Sequence, residues 1–185
     1  MGAICVMPFA GAKTPDIDLV ARQVEAITRR QVWVTQELRC AESAYDPSRD
    51  QYNSRRLLEL LRDRCPAAER VVGIAPFDLF LPVLTFVFGE AQLDGRAAVV
   101  STLRLDNRFY GLPFDARRLH TRLVTEVVHE LGHTYGLRHC GTPRCVMNRS
   151  TYVEEIDLKD DRFCFRCAAH VERGGATDRP GPQLA

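Results

Sequence analysis

The chain has 185 residues, enough for one domain with a sizeable core. Its 25 basic and 24 acidic residues leave a formal net charge of +1, so the charge balance implies no nucleic-acid partner. No stretch approaches the ~20 apolar residues of a membrane span, and the apolar opening lacks a basic lead and is interrupted by Pro8, so a soluble, cytoplasmic monomer is expected.

Residues 2–12, GAICVMPFAGA, read as a buried first strand. Thr14, Pro15 and Asp16 supply helix-start chemistry ahead of Leu19, Val20, Val24 and Ile27 at helical spacing, which predicts a first helix. Residues 31–38 alternate Val32 and Val34 against Trp33 and read as a second strand. Residues 45–50 form a Pro-containing loop, and Leu57, Leu58, Leu60 and Leu61 with interleaved charges predict a second helix ending near Pro66. Residues 70–75, 84–91 and 97–105 are further strands, the last two joined by a hairpin turn at Asp94 and Gly95. Alternating strands and helices argue for an α/β fold with a mostly parallel sheet.

Residues 113–136 form a long helix whose apolar face carries Leu119, Leu123, Val124, Val127, Val128, Leu131 and Tyr135. His129 and His133 leave the other side, and His120, roughly 180° of rotation from His129, is expected to be structural. Asp157 to Asp161 opens a last short helix, and residues 174–185, rich in Gly, Pro and polar residues, read as a disordered tail. Cys5, Cys40 and Cys65 lack metal-like spacing and read as buried small hydrophobes.

The chemistry is concentrated in His129 to Met147, HELGHTYGLRHCGTPRCVM. His129 and His133 lie four apart on a helix, so both imidazoles can share one cation, for which zinc is the usual choice. Glu130, roughly 100° round the helix, occupies a general-base position. Gly136 permits a sharp turn after the helix, and His139 beyond it can return a third nitrogen. Three protein ligands leave a fourth position open, as in catalytic zinc sites.

Cys140, Cys145, Cys164 and Cys167 make two short chelating pairs, the composition of a closed structural zinc site. Because neighbouring side chains on extended backbone diverge, His139 and Cys140 should bind different ions, giving two zinc ions per chain. Two disulfides or four buried thiols are the other readings, but CxxC outside an oxidising compartment favours metal. His170, past the second pair, is expected to face solvent rather than a metal.

HExxHxxGxxHC, followed by Cys145, Met147 and the CFRC of residues 164–167, resembles the archaemetzincin (archaelysin) branch of the metzincin zinc metallopeptidases. Sixteen residues separate Met147 from Cys164, about one fewer than the family pattern, as a loop deletion would leave. The resemblance implies a metzincin-like single domain of α/β class, with a mixed, mostly parallel five-stranded sheet, an active-site helix and a small zinc-bound C-terminal subdomain. Residues 1–173 would be the catalytic domain: 1–136 the sheet and helices, 137–173 the third-ligand turn, Met-turn and four-Cys subdomain. Met147 would be the Met-turn residue beneath the imidazoles, and residues 84–91 the antiparallel edge strand lining the cleft, to which a peptide adds by backbone hydrogen bonds. Some metzincins place a tyrosine just past the Met-turn as oxyanion partner; Tyr152 lies further along, so core packing is the role expected of it.

The expected function is a zinc-dependent metallopeptidase acting on a peptide or protein, with catalytic zinc on His129, His133 and His139 and Glu130 as base. A non-catalytic zinc module explains the cysteines but not three histidines around a glutamate. A catalytically silent homologue is the remaining alternative.

Overall fold

The computed structural model describes residues 2–11, 16–39 and 41–173, and the account below concerns those. Thr14, Pro15, Cys40 and the expected tail at 174–185 lie outside them.

Five strands form the main sheet, in the order β2-β1-β5-β8-β7: β1 (Ile4–Pro8), β2 (Val32–Val34), β5 (Arg70–Ala75), β7 (Gly89–Ala91) and β8 (Ala97–Ser101). All pairs are parallel except β7 with β8, so the edge strand alone runs against the others. Strand alternation sends Ile4, Val6, Val72, Ile74, Ala98 and Val100 to one face, and Cys5, Met7, Val71, Ala97 and Val99 to the other. Helices α1 (Ile17–Thr28) and α3 (Ala116–Thr134) cover the first face, and α2 (Ser54–Arg62) covers the second. Burying each such Val or Leu is worth about 1.5–3 kcal/mol, so the sheet is anchored from both sides.

Sequence chemistry accounts for the helix ends. The Asp16 carboxylate accepts from Leu19 N at 3.1 Å to start α1, and Asn53 Oδ1 accepts from Arg55 N at 3.1 Å to start α2. Asp115 does the same for α3 through Arg118 N at 2.9 Å.

The regular part of the second strand is shorter than residues 31–38, although the chain stays alongside β1: Leu38 N donates to Pro8 O at 2.8 Å. The edge strand is shorter too. Residues 84–88 lie outside it: Arg49 Nη2 takes the carbonyls of Leu84 (2.9 Å) and Thr85 (3.1 Å), Gln51 Nε2 also reaches Thr85 O at 3.0 Å, and Val87 N donates to Leu79 O at 3.0 Å. A small second sheet of β3 (Tyr45–Asp46), β4 (Gln51–Asn53) and β6 (Leu79–Phe80) occupies what reads in the sequence partly as loop. The eighth strand stops at Ser101, and Leu103–Leu105 is a 3-10 turn rather than more strand. The expected helix opening at Asp157 is instead the end of α4 (Val153–Asp157), and α5 (Phe165–Glu172) begins after Cys164.

Candidate active site

Helix α3 is fixed before it presents any ligand. Leu119, Leu123, Val124, Val127, Val128 and Leu131 are all buried against the sheet and α1, as their spacing predicts. Arg122, 3% exposed, grips Asp157 through two bonds of 2.7 Å and gives Nη1 to Leu105 O at 2.9 Å and Asn107 Oδ1 at 3.0 Å. At the C-terminus Leu137 N returns to Gly132 O (3.1 Å) and Gly136 N to His133 O (2.9 Å), the paired bonds of a Schellman turn. Gly136 at φ +84° supplies the left-handed residue that turn needs, and the chain reverses toward His139.

The three imidazoles converge. His129 Nδ1 bonds to Val146 O and His133 Nδ1 to Leu137 O, both at 2.7 Å. A carbonyl only accepts, so each Nδ1 carries the proton and each Nε2 keeps its lone pair for a metal. Those two Nε2 atoms lie 3.1 Å apart, and one ligand nitrogen from each of His129, His133 and His139 falls within 4.8 Å of the others. Two nitrogens at the usual zinc distance from one tetrahedral ion stand roughly 3.3 Å apart, so this donor set fits zinc. Burial holds His129 well below the ordinary imidazole range and lowers His133 as well, which favours the neutral, ligating form.

Glu130 is buried, and burial, then the charges of Glu126 and Glu90, push its carboxyl well above the ordinary range, with Lys159 opposing them. One turn earlier on the same face, Glu126 Oε1 meets Lys159 Nζ at 3.2 Å, both side chains 4% exposed. The same ammonium donates to Asn148 O at 3.0 Å, immediately after Met147. Met147 itself is fully buried and lies on the helix: a Cβ added at Gly132 would stand 2.3 Å from its sulfur. The glycine inside HELGH thus lets the methionine pack flush against the helix.

Behind this site the thiols of Cys140, Cys145, Cys164 and Cys167 all lie within 4.8 Å of one another. Cys140 and Cys164 sulfurs are 3.9 Å apart, close to the roughly 3.8 Å expected for two thiolates on one tetrahedral zinc. Backbone N–H groups point at the sulfurs, Cys164 N to Cys145 Sγ at 3.3 Å and Thr142 N to Cys140 Sγ at 3.4 Å. A hydrogen bond from Cys167, with the backbone N–H groups of Cys164 and Met147, draws the Cys145 thiol down to about 5. The adjacent His139 and Cys140 do fall into different clusters.

Other expected residues are placed as follows. His120 Nε2 pairs with Gln23 Oε1 at 2.9 Å, a structural link between α3 and α1. Cys5 and Cys65 are buried free thiols, and burial pushes Cys5 up to about 12, the state of an inert core cysteine. His170 does not face solvent: it is half-buried and its Nε2 bonds to Tyr135 O at 2.8 Å, at the helix end. Tyr152 does not pack in the core, since it is 66% exposed; its position as the residue preceding α4 directs the ring outward. Lys159 and Glu126 are site residues the sequence did not single out, because a lysine within LKDD carries the pattern of a solvated turn.

A mostly parallel sheet with one antiparallel edge, a helix bearing HExxH and a third histidine returned by a glycine turn define a zinc metallopeptidase. The model of peptidase family M54 matches residues 19–173, and the chain belongs to that family, the archaemetzincins. It is 42% identical to the archaemetzincin of Methanocaldococcus jannaschii over 133 residues, 71% of this chain and 72% of that one. The crystal structure of the Methanopyrus kandleri archaemetzincin superposes with a TM-score of 0.80 at 37% identity, covering 94% of both chains. That of Archaeoglobus fulgidus, complexed with malonate, gives 0.79 at 33% identity, covering 91% of this chain and 99% of its own.

Proposed function

We propose that His129, His133 and His139 hold the catalytic zinc through ring nitrogens, that Glu130 is the general base, and that the four cysteines hold a second, structural zinc. The observation that carries this reading is the convergence of the three ligand nitrogens beside a buried glutamate. Zinc held there supplies Lewis acidity, lowering the pKa of water to about 7 and polarising a carbonyl oxygen. The chain's own residues do the rest. Val146 O and Leu137 O fix the tautomer and orientation of two imidazoles, and Met147 supports them from beneath. The Glu130 carboxylate takes the proton of the attacking water and delivers it to the leaving amine, breaking the peptide bond.

Strand β7 is antiparallel and lies at the sheet edge beside α3, so its free backbone groups are available to an extended substrate. The CxxC spacing of Cys164 and Cys167 favours metal over a disulfide, and on that ground we place the protein in the cytoplasm. No helix among the described residues is long and apolar enough to cross a membrane. Metal analysis of fully loaded protein, combined with a peptide-library cleavage assay, tests the reading. Two zinc ions per chain and turnover are expected; one zinc with disulfide-bonded cysteines overturns the two-site arrangement.

A further inference from the structure

Residue 89 on the edge strand stands directly against Glu130. A Cβ built at Gly89 would lie 2.7 Å from Glu130 Cγ, 2.8 Å from Glu130 Oε1 and 2.9 Å from Val99 O. Gly89 is not among the positive-φ glycines, so its backbone conformation is one that alanine can adopt. What the glycine supplies here is space.

Neighbouring positions show how local that space is. Glu90, the next residue, is on the opposite side of the strand, where its carboxylate approaches Arg55 of α2 at 3.7 Å. On the α3 side, Phe88 is buried in the core next to the strand. The Glu130 side chain, Cγ and carboxylate alike, packs against bare backbone at Gly89.

We propose that Gly89 is a positioning residue: its missing side chain forms the slot that holds the Glu130 carboxylate between the edge strand and the active-site helix. A substrate paired to β7 would then meet the carboxylate at one fixed point along the strand. Any side chain at 89 displaces either the carboxylate or the strand. The inference rests on Glu130 being the base, and the experiment separates the two.

The test is Gly89→Ala in the full-length, zinc-loaded protein, made both in the native background and with Glu130→Ala. Glu130→Ala removes both Glu130 atoms that the new methyl would strike, while the contact with Val99 O is the same in both backgrounds and cancels in the comparison. Alanine at 89 alone should lower the melting temperature by about 3–9 °C, the usual cost of overpacking in a chain of this size. The drop should shrink to less than half in the Glu130→Ala background. In active protein, kcat should fall at least about tenfold with KM within about twofold, because small displacements of a reacting group are costly.

An equal drop in both backgrounds, or an unchanged melting temperature and kcat, overturns the slot. If Gly89→Ala alone does not fold, folding of the double variant supports the proposal and its failure refutes it. Should Glu130→Gln retain full turnover while the two substitutions remain coupled in stability, the contact stands and the general-base assignment falls.

Discussion

The backbone N–H of Cys140 donates to the carbonyl of Met147 over 2.8 Å. One backbone hydrogen bond therefore ties a residue of the four-cysteine cluster, whose neighbour in sequence is the proposed ligand His139, to Met147, which packs on helix α3. Val146 lies between the two clusters in the same way: its carbonyl receives His129 Nδ1, and its N–H reaches Arg162 O at 3.0 Å. The candidate sites share a scaffold.

We expect that scaffold to make the two proposed metal sites interdependent. Structural zinc sites contribute on the order of 10 kcal/mol to the ordering of small metal domains, more than a loop of this size needs. Cys164→Ser should loosen the Cys140 loop, weakening zinc at His129, His133 and His139 as well as at the cysteines. Zinc affinities measured separately for both sites decide the matter, and unchanged affinity at the histidines rejects the coupling.

Glu130→Gln keeps the shape of the side chain and removes its basicity. General-base contributions are typically 10²- to 10⁴-fold, so turnover should fall by that order while zinc content stays the same. Steady-state kinetics alongside metal analysis provide the check; near-native turnover means another group moves the proton.

The metal-free protein should be sensitive to acid in a definite direction. His129 and His133 have folded-state pKa values lowered by burial, so below the unfolded value of ~6.5 the unfolded chain binds protons that the folded chain refuses. Their contribution to stability is fully present above ~6.5 and is lost as pH falls toward the depressed folded values. Urea midpoints of metal-free protein should drop between pH 7.5 and 5.5, and less steeply in His129→Gln. A midpoint independent of pH in the native sequence contradicts this.

Local chemistry made much of this molecule legible. HExxH, Gly136 and His139 are spaced by the helix and its Schellman turn, so the convergence of the three histidines followed from chain geometry alone, and strand β5 was marked by its run of Val and Ile. Less visible were features set by tertiary partners. Nothing in Leu84 and Thr85 says that Arg49 and Gln51 will take their carbonyls and keep them out of the edge strand. Tyr152 read as core because it lies further past Met147 than the oxyanion tyrosine of some metzincins, yet α4 begins immediately after it and turns it outward. The charge of Lys159 likewise signalled solvent, and only the fold reveals a buried acid waiting for it.

That buried pair gives the last prediction. The side chains of Lys159 and Glu126 are each 4% exposed, and Lys159 also supplies the donor for Asn148 O just past Met147. Lys159→Met leaves the carboxyl without its counter-charge and the carbonyl without a donor, and losing one member of such a pair costs roughly 3–5 kcal/mol. Burial already raises Glu126, and Lys159 is what lowers it, so without the lysine its folded pKa climbs further above the unfolded value of ~4.5. An acid with a raised folded pKa destabilises the protein above that pKa, and the penalty is relieved as protonation occurs on lowering the pH. The stability deficit of Lys159→Met relative to the native sequence should therefore be largest near pH 8 and shrink toward pH 5. Adding Glu126→Gln should recover part of the loss at pH 8 by removing the stranded charge, and should make the deficit less dependent on pH. Urea titrations of the three proteins at both pH values measure this, and a deficit that grows on acidification, or is untouched by Glu126→Gln, means that Lys159 stabilises the fold by packing rather than by pairing with Glu126.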